Sequence, residues 1–259
     1  MSRTLTGLSV VLPARNEAGR LGACLTSIRV AITTYAALPG SLPVDVVIAL
    51  DSCTDESAAV VARHPGTRNV QVREGSAGRA RNAGVLSART AAARTPSRGG
   101  LHWIAMTDAD SRVPPHWLAA QVRLAEEGAD VVVGTVEPDP DELDHRALGR
   151  WWSRHDLRED HSHVHGANLG FTLAAYDRVG GFPGAPLHED VEFVRRARAL
   201  GLRVRATDLH RVTTSARATG RSPGGFAAYL RELDSPGAST TGGSADHGKS
   251  IQRSVLRQT

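Results

Sequence analysis

The sequence predicts an α/β fold built on a mostly parallel, Rossmann-like central sheet with helices on both faces. Three observations carry this. Short apolar runs alternate with longer stretches of helical period, the pattern of stacked βα units. The run "VDVVIAL" at 44–50 is apolar nearly throughout, as an interior parallel strand covered on both faces has to be. A chain of 259 residues with 41% hydrophobic content holds enough apolar mass for one sizeable core.

The elements follow in order. "LSVVLP" (8–13) is the first strand, and the helix from Ala18 to Tyr35 sets Leu21, Leu25, Ile28 and Ile32 at spacings of three and four. After the second strand and Asp51, "CTDESAAVVARH" predicts a helix capped by Thr54 with Ser57 in its first turn. "NVQVR" (69–73) is the third strand and the Ala-rich stretch 78–94 the third helix. "LHWIAMTD" (101–108) is the fourth strand, followed by a proline-opened helix over 114–128 and a fifth strand, "ADVVVGTVEP", over 129–138. Residues 139–165 are charged and His-rich and read as one helix plus a loop beside the sheet. "GANLGFTLAAYDRVGGFPG" (166–184) gives a short strand, a helical turn and a Gly/Pro turn. A helix over 188–201 points Val191, Val194 and Leu200 inward, and "LRVRATD" (202–208) is the last strand. Small polar residues over 235–259 predict a disordered tail, leaving a single domain over 1–234.

Composition narrows the partners. The net charge of +4 is almost wholly arginine, Lys249 being the only lysine, and it is spread along the chain. Aromatic residues make up 4%, too few for a base-stacking platform, so nucleic acid is excluded as a partner. Attraction of an anionic substrate or of anionic lipid headgroups accounts for the charge. No apolar run approaches the about 20 residues that cross a bilayer, and "MSRTLTGLSVVLPARNE" lacks the order of a signal peptide. With Cys24 and Cys53 as its two cysteines, the chain is expected in a reducing, cytoplasmic compartment, peripheral contact at the inner membrane face being left open.

In an open α/β sheet, ligands bind beyond the carboxyl ends of the strands, near the switch in strand order. Pro13–Glu17, Asp51–Asp55 and Asp108–Asp110 are therefore expected to meet, bringing together the carboxylates of Glu17, Asp51, Asp55, Asp108 and Asp110. Like charges so crowded raise one another's pKa. A hard divalent cation, Mn2+ or Mg2+, resolves the conflict, bound through one or two carboxylates plus substrate phosphates. Alone, the Asp-x-Asp pair reads equally well as Asp108 capping a turn with Asp110 in solvent.

It is not alone. "VVLPARNE", "VVIALDSCTDES", "GRARNAG", "IAMTDADSRVPP" and "LHEDVEFVRRARALG" stand in this order, and together, over residues 8–208, they resemble the inverting family 2 glycosyltransferases of GT-A fold. The resemblance implies a metal-dependent, non-processive enzyme that moves one sugar from a UDP- or GDP-sugar to an acceptor hydroxyl, lipid-linked or on a small metabolite. It divides the domain into a nucleotide-sugar-binding half (8–138) and an acceptor-side half (139–234). Residue by residue it puts Pro13, Ala14, Arg15 and Glu17 at the nucleoside pocket, Asp51 against the nucleobase, and Arg81 and Asn82 near the donor. Asp108, Ala109 and Asp110 fall on the segment that meets ribose and diphosphate, with Asp110 on the metal. Asp190 falls on the general base, a role that chemistry supports separately, because the acceptor hydroxyl must lose a proton as the new bond forms. The family's first acid after strand two is Leu50 here, and its Gly-Ser is Ser52-Cys53, so base identity stays open.

Other positions carry two readings each. His210 either completes the metal shell or is an ordinary surface histidine. Trp151, beside Trp152, either stacks on an acceptor or plugs the core edge. Gly166, Ala167 and Asn168 of "GANLGF", with His188 and Glu189 before the base, are expected on the acceptor side; the acids there also suit a plain helix start. Arg211, Arg217 and Arg221 either clamp phosphate or form a solvated basic face. The histidines 155, 161, 163 and 165 have no cysteine nearby and read as an acceptor-side loop rather than a zinc site. The Gln-x-x-Arg-Trp motif of processive synthases is missing, which favours transfer of a single sugar. Two competing functions remain: a non-catalytic nucleotide-sugar-binding protein, and a sugar-phosphate nucleotidyltransferase, for which the core offers no lysine.

Overall fold

The computed structural model describes residues 3–93, 100–184 and 187–217. Arg221 and the expected tail over 235–259 lie outside them. The chain runs β1 (Leu5–Ala14), α1 (Ala18–Ala36), β2 (Val44–Asp51), α2 (Ser57–Ala62), β3 (Thr67–Val72), α3 (Ala77–Ala92), β4 (Leu101–Met106), β5 (Ser111–Arg112), α4 (Trp117–Glu126), β6 (Val131–Pro138), α5 (His145–Arg154), β7 (Leu169–Thr172), α6 (Leu173–Val179), α7 (Glu189–Ala199) and β8 (Val204–Thr214). One eight-stranded sheet has the order β3-β2-β1-β4-β7-β6-β8-β5. β3, β2, β1 and β4 are mutually parallel, as are β6 and β8, whereas β7 and β5 run antiparallel to their neighbours. The order turns back between β1 and β4, so the loops leaving those two strands diverge and open a crevice at their carboxyl ends.

Alternation along the strands explains why they are apolar throughout. Leu8, Val10 and Leu12 of β1, with Val46, Ile48 and Leu50 of β2, pack on the α1 and α4 side against Leu21, Leu25, Ile28, Trp117 and Leu118. Val11 and Val47 point the other way, to Val85 of α3, Val179 of α6 and Phe193 of α7. Both faces are covered, so the few polar residues there are paired, as Ser9 is with His102 of β4 (2.9 Å).

Three expectations are corrected. Thr54 does not cap α2. The helix begins at Ser57, whose N–H is taken by Asp55 Oδ1 at 3.0 Å. On α7 the inward stripe is Glu189, Phe193, Val194 and Ala197, and Leu200 is 44% exposed. A buried ion pair at Glu189, described below, sets that phase, which apolar spacing alone misjudges. β8 continues to Thr214 rather than ending near 208. Between the pairs Gly134↔Thr207 and Val136↔Val212 it carries extra residues, so Asp208–Arg211 form a bulge before pairing resumes.

Asn168 holds the sheet's centre to α4 and to this bulge. Its side chain is fully buried; Nδ2 donates to the carbonyls of Thr135 (2.8 Å) and His210 (3.0 Å), and Oδ1 accepts from Trp117 Nε1 (3.0 Å). Gly134 faces it because any Cβ there would collide with the amide. After α5 the chain stacks imidazoles in a column. Trp151 lies flat on His155 (4.2 Å between centroids), His155 neighbours His163 (5.7 Å), and His163 lies between His161 (5.7 Å) and His165 (6.1 Å). No helix among the described residues is long and apolar enough to cross a membrane.

Two outcomes follow. Asn168→Ala leaves three buried polar groups unpaired and should lower the unfolding free energy by about 3 kcal/mol in urea titrations. The second is a pH dependence. Burial first, and then the neighbouring imidazoles, lower the pKa of His163 and bring that of His165 down to about 3; burial also lowers that of His161. The folded chain therefore favours the neutral rings, while the unfolded chain takes up protons below the ordinary value of 6.5. Stability is therefore complete above pH 6.5 and declines as pH falls towards 3, and His163→Phe should flatten that decline in thermal unfolding measured across pH.

Candidate active site

The first two βα loops interlock. Asn16, held at φ +52°, accepts the backbone N–H of Thr54 (2.7 Å) and of Asp55 (3.3 Å) on Oδ1. Asp55 Oδ2 returns the contact by accepting Ala18 N–H (2.9 Å), a free donor at the start of α1. Ser57 Oγ accepts Glu17 N–H (2.9 Å). Asn tolerates the left-handed backbone better than a bulkier residue, which suits it to this corner. The sequence reading did not single out Asn16; its signal was an Asn directly after a strand and before a helix. Asp55, expected among the crowded acids, is instead a capping group. Asp51 is 3% exposed and uses Oδ1 to accept the N–H groups of Glu74 (2.8 Å) and Gly75 (3.1 Å). Pro13 and Ala14 end β1 at the crevice, Ala14 O lies 3.4 Å from Cys53 Sγ, and Arg15 is exposed at the rim.

Two arginines compensate the remaining acids. Arg217, just beyond β8, donates from Nη1 to both carboxylate oxygens of Glu17 (2.9 and 3.0 Å) and from Nη2 to Asp110 Oδ2 (2.9 Å). Arg81 in α3 is buried; Nη2 donates to Asp108 Oδ1 (2.8 Å) and Nη1 to Glu189 at the start of α7. Each guanidinium fork thus spans two carboxylates from different loops. Burial works against the Arg81 charge, but Asp108, Glu189 and Asp190 more than offset it, and its pKa rises. Burial raises that of Glu189, with Arg81 opposing and Asp190 adding. For Asp110, burial and then Asp108 push the pKa up to about 6 while Arg217 pulls the other way. Gly78 and Gly166 make room: a Cβ at Gly78 would strike Pro183 O and crowd Glu189, and one at Gly166 would strike the Arg81 guanidinium.

Asp190 lies one residue past Glu189, so the Arg81 bridge fixes its position relative to Asp108. Its Oδ2 accepts the Gly166 N–H (2.6 Å) from the 3-10 turn Gly166–Asn168, and Oδ1 accepts Val191 N–H (2.8 Å). His188 precedes it, exposed and at φ +62°. Ala109 is buried in the turn between Asp108 and Asp110, and Ala167 is 6% exposed.

Four further candidates have defined places in the fold. Asn82 ties α3 to the 176–182 segment: Oδ1 accepts Tyr176 Oη–H (2.6 Å) and Phe182 N–H (2.9 Å), while Nδ2 donates to Phe182 O (2.8 Å). Asn168 is the buried strut already described, with its side chain wholly inside the sheet and α4 packing. Trp151 is 1% exposed and plugs the core edge; Trp152, 40% exposed, lies under the Arg211 guanidinium. His210 is in the β8 bulge with both ring nitrogens buried and unpartnered, and the residue whose backbone reaches Asp110 is Ser215, donating to Asp110 O at 3.1 Å. Burial lowers the His210 pKa to about 4. The position beside Asp110 belongs to Arg217, which spacing did not distinguish from its basic neighbours.

Among the described residues no three His, Cys, Asp or Glu side chains converge to hold a metal ion unaided. Asp110 nevertheless offers a carboxylate oxygen at the mouth of the crevice, in a field that Asp108 and Glu17 keep negative. Such a donor set fits a hard cation that takes its other ligands from phosphates.

The family model for glycosyl transferase family 2 matches residues 9–178. Among solved structures, residues 1–349 of S. aureus TarS in complex with UDP-GlcNAc align with a TM-score of 0.59 at 15% identity, over 84% of this chain and 60% of that one. Mannosyltransferase PcManGT from Pyrobaculum calidifontis, in complex with GDP-Man and Mn2+, gives 0.59 at 20% identity over 85% and 60%. GalNAc-T7 with UDP, GalNAc and Mn2+ gives 0.60 at 14% identity over 83% and 44%. At such identities the likeness shows a shared GT-A fold, and the chain spans about 60% or less of these structures' length. No curated protein sequence matches the chain.

Breaking the Arg81 pair leaves Glu189 buried and uncompensated. Arg81→Met should cost about 3 kcal/mol of stability, and the double variant Arg81→Met/Glu189→Leu should recover most of it, both read by chemical denaturation.

Proposed function

The chain belongs to glycosyl transferase family 2, and we propose that it is a metal-dependent inverting glycosyltransferase moving one sugar from a UDP- or GDP-sugar to an acceptor hydroxyl. One observation carries the reading: the Asp108–Arg81–Glu189 bridge ties the Asp-x-Asp turn after β4 to the start of α7, where Asp190 stands, beside the β1/β4 switch. A single displacement needs a leaving group held on one side and a proton acceptor on the other.

In this reading residues 8–138 receive the donor, with Arg15, Asp51 and the interlocked loops around the nucleoside, and residues 139–234 receive the acceptor. Asp110 would hold a Mn2+ or Mg2+ ion, whose chemistry would be to offset the charge developing on the departing diphosphate. Asp190 takes the proton of the incoming hydroxyl as the carbon–oxygen bond forms. Gly166 N–H holds its carboxylate in one orientation at the start of α7. Arg81 reaches both sides, so it fixes the distance between them. The bound nucleotides and Mn2+ in PcManGT and GalNAc-T7 agree with this assignment. A cytoplasmic site of action agrees with the two free cysteines.

Thermal unfolding with a panel of UDP- and GDP-sugars, with and without Mn2+, should show a metal-dependent rise for one nucleotide class. Asp190→Asn should then lower kcat by about 10²- to 10⁴-fold while calorimetric donor affinity stays at the wild-type value. A protein that binds donors and never transfers or hydrolyses them is a binding protein, and the catalytic reading fails.

A further inference from the structure

We propose that Arg217 is a displaceable counter-ion: it occupies Asp110 in the free protein, keeps a bare cation out, and moves onto the diphosphate when cation and donor arrive together. The inference rests on the donor reading above and concerns what Arg217 adds to it.

The geometry is specific. Arg217 Nη2 lies 2.9 Å from Asp110 Oδ2, an oxygen that a cation would need, and Nη1 meets both oxygens of Glu17 at 2.9 and 3.0 Å. All three side chains are largely shielded, at 18% exposed for Arg217, 16% for Asp110 and 8% for Glu17. They come from the loop after β1, the turn after β4 and the segment after β8, so one guanidinium closes the crevice mouth from three sides. Asp108, the other acid of the turn, is held separately by Arg81. Removing Arg217 from Asp110 therefore cannot be answered by a second arginine already in place.

Consider what each ligand meets alone. A bare cation at Asp110 has to expel Arg217, which leaves Glu17 buried without that partner and brings two positive charges together. A bare diphosphate meets the carboxylates of Glu17, Asp108 and Asp110 with their arginines already engaged. Together the exchange balances: the cation takes Asp110, Arg217 Nη1 keeps its contact with Glu17, and Nη2 trades the Asp110 oxygen for a phosphate oxygen while the added anion offsets the cation's charge. No covalent bond changes. The consequence is positive coupling between the two ligands, carried by a single side chain, and the coupling is reciprocal by linkage.

The test uses the full chain and its variants Arg217→Met and Arg217→Lys. Binding of MnCl2 alone is followed by the loss of the free Mn2+ paramagnetic signal, and binding of UDP and of GDP by calorimetry in Mn2+ and in EDTA. Wild type should bind Mn2+ weakly by itself and at least tenfold more tightly with the matching nucleoside diphosphate present. Arg217→Met should bind Mn2+ alone about tenfold more tightly than wild type, bind the nucleoside diphosphate in Mn2+ about tenfold more weakly, and lose most of the coupling. Arg217→Lys, which keeps the charge but cannot span both carboxylates, should fall between them and reports the same effect if the Met variant fails to fold. A guanidinium that merely braces the loops would weaken both ligands in both variants, and that result overturns the proposal. So do variants with wild-type Mn2+ and diphosphate affinities. If wild type binds neither UDP nor GDP under any condition, the donor reading itself falls; if it binds one while Arg217→Met matches it, only the role of Arg217 does.

Discussion

Like charges that a fold gathers at one edge have to be answered, and in this protein two guanidinium groups answer them. Arg81 and Arg217 each straddle a pair of carboxylates drawn from different loops. The forked shape matters as much as the charge, because an ammonium on a flexible stem cannot hold two carboxylates at fixed separation. The chain's near-total reliance on arginine, with one lysine in 259 residues, fits that demand at these two positions. Around them the neighbours are chosen for clearance: Gly78 and Gly166 lie where any side chain would intrude on the Arg81 bridge.

The two bridges differ in what surrounds them. Arg81 is deep, shielded on every side and tied to the start of α7, so it behaves as part of the frame. Arg217 lies nearer the surface, on a segment leaving the last strand. One bridge ties α3 to the turn after β4 and to α7, and the other ties the end of the sheet to the loops after β1 and β4. The loops after β1 and β2 are organised without charge pairs of this kind, through capping between them and through Asp51 receiving backbone donors from the connection after β3.

Much of the frame was legible in the sequence. β1, β2, β4 and β6 are predominantly apolar because both faces are covered, and helices such as α1 display their buried stripe plainly. β5 was not legible, since two residues carry no period, and β8 was cut short because its bulge at Asp208–Arg211 interrupts the alternation that resumes at Val212. The loops that gather at the sheet edge followed from the order of strands alone. The partners of the acids did not: Arg217 is 107 positions from Asp110, and nothing local distinguishes it from Arg211. Asn82 and Asn168 illustrate a different limit. A buried amide that braces backbone and an amide that faces ligand are the same letter, and the tertiary hydrogen bonds alone separate them. The adjacent tryptophans divided in the same way, helix phase burying Trp151 and exposing Trp152.

The reciprocal capping of Asn16 and Asp55 bears on how such a pocket diversifies. Each loop supplies the acceptor that the other's backbone lacks, so neither has a complete set of hydrogen bonds when transplanted alone. Exchanging residues 51–57 between relatives to alter base preference would strand the N–H groups at the opening of α1 unless residues 13–17 travel with them. The two segments form one heritable module, and chimeras cut between them would misfold at the corner rather than acquire a new specificity.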